Sequence, residues 1–329
     1  MDKVSYLKEL DDDTLRKIIY EYSGSYEADV LAEARRELFG RYKINIWEAA
    51  DITLLDVAAC VSFIDVMRFI DTVDDAYKEI FDDVIDIKKV GAKGYWFTPW
   101  DNLIRLTGIT ETMMDLILRP EFINALVERF VDASMIRLER YENLGIWASN
   151  NDNVRVGSGG YGYCSDLENP DIHRTNAQTK QLWGCGNAQI FTSVSPDMHW
   201  EFSLKHELRW MERFGLSYYG CCESLHTKLH MLEKIPNLRK ISMSPWSKLE
   251  VVNEFAKDKY ILSCKPNPAV FAEDSWRPEQ AKEDILDILK KSDGCSIELI
   301  MKDVSTLRYK PQRLWDWAKI AQDTINEYF

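Results

Sequence analysis

The chain has 329 residues, 46% of them hydrophobic, with 11 Trp, 15 Tyr and 13 Phe, and a formal net charge of −13 at pH 7. That is enough apolar material for one barrel-sized domain or two ordinary ones, while the negative charge disfavours nonspecific binding to nucleic acid or an anionic membrane, whose phosphates it repels. No window approaches the ~18 apolar residues of a spanning helix, the opening lacks the basic-then-apolar plan of a signal peptide, and seven Cys make an odd number for a disulfide framework, so a cytoplasmic chain with reduced thiols is expected.

Residues 1–90 read as a helical region packed on the remainder of the chain. Asp11 to Asp13 precede Leu15, Ile18, Ile19 and Tyr22, a capped amphipathic start. Glu27 to Phe39 stops at Gly40, and Leu54–Ile70 and Ala76–Ile87 keep apolar residues at helical spacing. After an aromatic break at Gly91 to Trp100, Asp101 to Leu118 reads as helix. Pro120 then opens a longer one, with Phe122, Ile123, Leu126, Val127, Phe130, Val131 and Leu138 as its apolar stripe.

From Gly145 onward, short apolar runs alternate with helical patterns, as in successive βα units of a parallel sheet. Gly145–Ser149, Ala188–Val194, Gly215–Cys221, Arg239–Met243, Tyr260–Ser263 and Ser296–Met301 are the expected strands. Gly157-Ser-Gly-Gly-Tyr-Gly-Tyr163 is neither a P-loop nor a dinucleotide fingerprint, and reads as a mobile substrate-facing loop or a plain connection.

Chemistry in parallel sheets gathers at the carboxyl ends of the strands, which here carry Cys221, Cys222, Glu223, Trp246, Cys264 and Lys265. Two adjacent thiols, a carboxylate and a further Cys suit zinc, with Cys221, Cys222, Glu223 and Cys264 as candidate ligands; buried small hydrophobes are the competing reading of the cysteines. His226 and His230, with Glu233, share a helix face and could also hold zinc, though a polar helix face accounts for them better. Asn150, Asn151, Tyr161, Gln189 and His226 are candidate substrate contacts by strand-end position. Glu223 is a candidate base or metal ligand, and Lys265 a candidate carboxylate binder. Asp152 and Asp303 follow strand ends and Glu298 falls within the last strand, while Cys295 lies at the opposite end of the sheet.

The run Ser195-Pro-Asp-Met-His-Trp-Glu-Phe-Ser-Leu-Lys-His-Glu-Leu-Arg209, the Gly-led strand ending in Cys221-Cys-Glu223, and Leu106-Thr-Gly followed by Leu118-Arg-Pro-Glu-Phe122 resemble the uroporphyrinogen decarboxylase superfamily. Arg239-Lys-Ile-Ser-Met-Ser-Pro-Trp246 and Lys265-Pro-Asn-Pro268 resemble a divergent, decarboxylase-like branch of it. The resemblance covers roughly residues 100–329 and implies an α/β fold, a TIM-like (β/α)8 barrel over 91–329 with extra N-terminal helices over 1–90. The Arg-rich opening motif of the haem-pathway decarboxylase has no equivalent in the first hundred residues. The other large group, corrinoid-dependent methyltransferases, carries His-x-Cys where this chain has Cys221-Cys222-Glu223.

The resemblance therefore implies an enzyme, and a methyltransferase before a decarboxylase. The methyltransferase would move a methyl group from a small methoxylated or methylated compound to cobalamin carried by a partner corrinoid protein, with zinc as the polarising ion. Decarboxylation of the uroporphyrinogen decarboxylase type, with Lys265 or an Arg holding a carboxylate, and a non-catalytic binding subunit are the alternatives. A tetrapyrrole bearing many carboxylates needs several fixed cations, and the rim offers only Lys265 and Arg155.

Overall fold

The computed structural model describes residues 10, 11, 14, 15, 75, 77–81, 84, 85, 90–168 and 176–329. The chain divides into two compact units, Met1–Lys89 and Val90–Phe329, and almost all described residues lie in the second. The helices expected at 27–39 and 54–70 fall outside the described residues, as does most of that at 11–22; within the stretch expected as helix at 76–87, residues 77–81 are helical.

Three helices open the second unit: α1 (Pro99–Thr107), α2 (Ile109–Leu118) and α3 (Pro120–Asn143). Proline stands at the start of α1 and of α3, where its missing N–H costs nothing and its fixed φ already suits a helix. Of the expected α3 stripe, Ile123, Val127, Val131 and Leu138 are buried, while Phe122 stays largely exposed.

Arg155–Val156 (β1) and Gly160–Tyr161 (β2) form a small antiparallel hairpin. Next comes a five-stranded parallel sheet in sequential order: β3 (Trp183–Gly186), β4 (Leu216–Tyr219), β5 (Leu238–Met243), β6 (Ile261–Cys264) and β7 (Ser296–Leu299). Helical segments fill the crossovers that parallel pairing demands. Between β3 and β4 run α4 (Pro196–His199), a π-helical turn (Trp200–Leu204) and α5 (Lys205–Met211). Later crossovers hold α6 (Leu229–Leu232), α7 (Leu249–Ala256) and α8 (Pro278–Lys291), and α9 (Gln312–Tyr328) follows β7.

The last four expected strands are therefore present, consecutive and parallel. Two others need correcting. Gly145–Ser149 contributes one parallel bridge, Trp147 to Ala92, because the main chain at Gly145 turns through φ 59. Ala188–Val194 contains a 3-10 turn, Gln189–Ser193, and the strand lies upstream at β3. Two glycines hide β3 from a propensity reading: a Cβ on Gly184 would stand 2.5 Å from the Phe214 ring, and one on Gly186 would stand 3.1 Å from the Met211 sulfur.

Alternation along the strands sorts side chains onto two faces. Tyr219, Ile241, Met243, Leu262 and Cys264 join the main apolar core, where Trp210 stacks on Phe97 at 4.4 Å between ring centroids. Each such side chain, fully buried, contributes about 1.5–3 kcal/mol. The opposite face is polar. Register sets Tyr218 beside Lys240, and aligns Ser242, Ser263 and Glu298 across three strands. Among the described residues, no helix is long and apolar enough to cross a membrane.

Candidate functional site

Most polar groups on the polar face of the sheet satisfy one another, as buried polar groups must, with Glu298 Oε1 left unpartnered. Lys240 Nζ donates to Glu298 Oε2 at 2.9 Å and to the Tyr161 carbonyl at 2.5 Å, so the hairpin is tied to the sheet through a largely dry ion pair. Lys265 Nζ donates to Ser242 Oγ (2.8 Å), the Ser263 carbonyl (2.8 Å), Ser263 Oγ (3.0 Å) and Tyr218 Oη. Burial pulls its ammonium down to about 7. With every proton engaged from below, Lys265 anchors the floor of the site rather than reaching freely into it.

Above this floor sits the hairpin, and its glycines explain how it comes so close. A Cβ on Gly157 would stand 2.2 Å from the Tyr218 ring, and one on Gly160 would stand 2.4 Å from Glu298 Oε1. Gly157 and Gly159 also take φ of 64 and 100, a region costly for residues with a side chain. The turn lowers Ser158, fully buried, onto the end of β4. Ser158 Oγ donates to Cys221 Sγ at 3.2 Å, and Lys302 Nζ, beyond the end of β7, donates to Ser158 Oγ at 2.9 Å. The stretch expected as a substrate-facing loop or a plain connection is a packed hairpin that carries a buried hydroxyl.

Cys221, Cys222, Lys265, Lys302, Trp246 and Pro266 line a rim pocket of about 200 Å³ at the carboxyl ends of the strands. Cys221 Sγ lies 3.6 Å from Cys222 Sγ and 3.7 Å from Lys302 Nζ. The neighbouring Cys222 thiol, then the Ser158 hydroxyl and the Lys302 charge, hold the Cys221 thiol below the usual thiol range against the opposing effect of burial; Cys222 is pushed up in return. Burial works to lower the Lys302 ammonium, but the Cys221 and Asp303 charges outweigh it and leave the amine raised. Asp303 takes φ 57, a conformation that Asp tolerates better than most residues.

The other residues singled out from the sequence are dispersed. Glu223 is fully buried and turned back on the main chain, its Oε1 accepting from Ala188 N–H (3.2 Å) and its Oε2 from Cys221 N–H (2.7 Å). Cys264 packs in the apolar core on the opposite face of β6, where burial pushes its thiol up to about 12. The four donors named for zinc thus do not converge on one point. Among the described residues, no three His, Cys, Asp or Glu side chains are grouped to hold a metal ion. His226 sits in a 3-10 turn (Leu225–Thr227), and His230 lies on α6.

Asn150 uses its whole amide on the Trp183 main chain, accepting from N–H and donating to C=O at 2.9 Å each. Asn151 bridges the Cys164 main chain in the same way. Asn150 thereby pairs with the edge of β3 as a surrogate peptide group. Gln189 donates to Asp101 Oδ1 at 2.9 Å, and Tyr161 is exposed on the hairpin. A second cavity, of about 540 Å³, opens between Lys93, Tyr95, Trp96, Asn150, Arg155 and Trp183. The rim pocket therefore unites Cys221, Cys222, Trp246, Lys265 and Asp303 of the expected residues. It adds Lys302 and, through Cys221, Ser158, neither of which sequence reasoning identified. Gly-Ser-Gly-Gly at 157–160 was the available signal, since glycines flanking a hydroxyl permit close approach to another surface.

No protein-family model matches the sequence, and no curated protein matches it. A solved methyltransferase from Methanosarcina mazei is similar in structure, with 12% identity and a TM-score of 0.45, over 85% of this chain and 68% of that one. A likeness at that level decides nothing about chemistry, which rests on the side chains above.

Proposed function

We propose that the chain is the methyltransferase component of a corrinoid-dependent demethylation system, acting on a small methoxylated or methylated compound. The rim pocket carries this reading. It is a small pocket, about 200 Å³ against about 540 Å³ for the cavity beside Trp183, which suits a small donor better than a tetrapyrrole. Trp246, Pro245, Pro266 and Pro268 supply apolar walls for a neutral methyl compound. Lys302, half-buried beside the thiol, is the group placed to give a proton to the departing oxygen, nitrogen or sulfur.

The corrinoid, carried by a partner protein, would supply the nucleophile that accepts the methyl group. Zinc has no part in this reading, since the named donors do not converge. A (β/α)8 barrel is the architecture we assign to 91–329. Its support is the sequential parallel order of β3 to β7, the parallel bridge between Ala92 and Trp147, and the sheet-like pairing of Asn150 with Trp183. The same reading places the chain in the cytoplasm.

The test is absorbance on mixing the purified chain with cob(I)alamin, free or on its cognate corrinoid protein, and a panel of methoxylated and methylated donors. Conversion to the methylated corrinoid, slowed at least tenfold by Lys302→Met, is expected. Lys302 favours one competing reading, a decarboxylase of a small acid held by its ammonium. Release of carbon dioxide from such an acid, with no methylation by any donor, would replace the first reading with the second. Ligand binding with neither reaction would make the chain a binding subunit.

A further inference from the structure

Three parts of the fold distant in sequence converge on one sulfur. Ser158, from the hairpin, donates to Cys221 Sγ at 3.2 Å, and Lys302, from beyond β7, stands 3.7 Å away. Cys222 Sγ completes the set at 3.6 Å. Ser158 is itself fixed, since Lys302 donates to its hydroxyl at 2.9 Å and Tyr218 Oη donates to its carbonyl at 3.3 Å. A cysteine acting only as a buried hydrophobe needs none of these donors. Hydroxyl and ammonium donors aimed at sulfur stabilise a thiolate, the nucleophilic form. The sulfur also opens onto a cavity: Cys221 lines the rim pocket with Trp246, Pro266 and Lys302. Gly220, at φ 99, makes the turn that presents it there, and a Cβ at Gly220 would meet Leu225 at 2.6 Å.

We propose that Cys221 is a nucleophilic thiolate, held by Ser158 and Lys302, that forms a covalent bond to a small molecule bearing a soft electrophilic carbon and seated in the rim pocket against Trp246. In that step the sulfur lone pair forms the S–C bond, the bond from carbon to its leaving group breaks, and the leaving group departs with the electron pair. No oxidant or reductant is consumed. Lys302, the ammonium beside the sulfur, favours a ligand with a negative group beside the reacting carbon. The pocket is the one assigned above to the methyl donor, but the test requires neither corrinoid nor methyl donor, so failure of one reading is distinguishable from failure of the other.

The experiment uses the full chain at pH 7 with iodoacetate and iodoacetamide as probes, in matched samples with and without chelator, and locates the adduct by peptide mass spectrometry. Ser158 and Lys302 are positioning residues here, so the readout must separate charge from folding. Cys221 is expected to react at least tenfold faster than half-buried Cys164 in the same molecule. Its iodoacetate-to-iodoacetamide rate ratio should exceed that of glutathione, fall severalfold in Lys302→Gln, and return in Lys302→Arg. Ser158→Ala should slow both reagents together. Four results would each overturn the proposal: an adduct on Cys222 instead of Cys221, a Cys221 rate no faster than that of Cys164, a rate ratio unchanged by Lys302→Gln, or labelling that appears only after chelator. The last would make Cys221 a metal ligand. Agreement of Lys302→Gln and Lys302→Arg in thermal midpoint keeps a folding defect from being mistaken for loss of charge.

Discussion

Glu207 offers a sharp test of the packing behind the sheet. It projects from α5 and is fully buried; its Oε1 accepts from the Ser203 hydroxyl, while its Oε2 has no hydrogen-bond partner. Nearby, Tyr219 Oη is engaged with His199 Nε2 at 2.9 Å. Burial pushes the Glu207 carboxyl up from 4.5 to about 8, opposed by the Ser203 hydroxyl and helped by the Glu223 charge. Between those values the folded chain keeps a proton that the unfolded chain has lost. The resulting stability is fully present below pH 4.5 and is lost as pH rises through about 8. At about 1.4 kcal/mol per pH unit, the interval is worth about 5 kcal/mol. Glu207→Gln keeps the shape and the acceptor for Ser203 but has no proton to lose. Variant and wild type should therefore lie within about 1 kcal/mol of each other near pH 4.5, as expected for a near-isosteric change, and diverge by about 5 kcal/mol in favour of the variant above pH 8. Urea unfolding followed by tryptophan fluorescence at several pH values measures both. His199 and Lys228, both pulled down by burial, bias the pH profile in the opposite direction, but they do so in both proteins and cancel in the difference. Parallel stability profiles across this range would refute the assignment of a neutral, desolvated Glu207.

Gly157→Ala places a Cβ against the Tyr218 ring at φ 64; left-handed strain of about 1–2 kcal/mol plus overpacking of about 1–3 kcal/mol should lower the thermal midpoint by several degrees, and an unchanged midpoint would refute the close packing of the hairpin. Lys265→Met strips the hydroxyls of Tyr218, Ser242 and Ser263 of a shared donor and should cost at least about 2 kcal/mol at neutral pH, read by urea titration. Because the ammonium is lowered from 10.5 to about 7, wild-type stability should be lost as pH falls from 10.5 towards 7, and the variant should lack that slope. Replacing Cys221 and Cys222 together with Ser should leave the zinc content of chelator-free protein unchanged by elemental analysis; loss of zinc would show that the thiols bind metal despite the turned-back Glu223.

Legibility from sequence tracked the distance over which each feature is decided. The strands β4 to β7 were readable because apolar and β-branched runs alternate with helical patterns within a few residues. One helix start was readable for the same reason: Pro120 opens α3. β3 was missed because Gly184 and Gly186 carry no strand signal of their own; they are small to admit Phe214 and Met211. Glu223 and Cys264 looked like ligands because both lie at strand ends. A one-residue step along a strand, or a carboxylate turned back on main-chain N–H groups, moves such a donor to another face.

The sequence by itself determined part of the local grammar: the strands β4 to β7, the start of α3 at Pro120, and that a parallel sheet would present thiols and a lysine at its carboxyl rim. Only the tertiary structure decided which of these groups meet. Ser158 and Lys302 lie 63 and 81 residues from Cys221, and no local preference spans such separations. Their meeting depends on strand register, on the face each side chain takes, and on glycines that let the hairpin descend onto Tyr218. Those are properties of packed surfaces, settled when desolvated polar groups must find partners that the chain brings together only on folding.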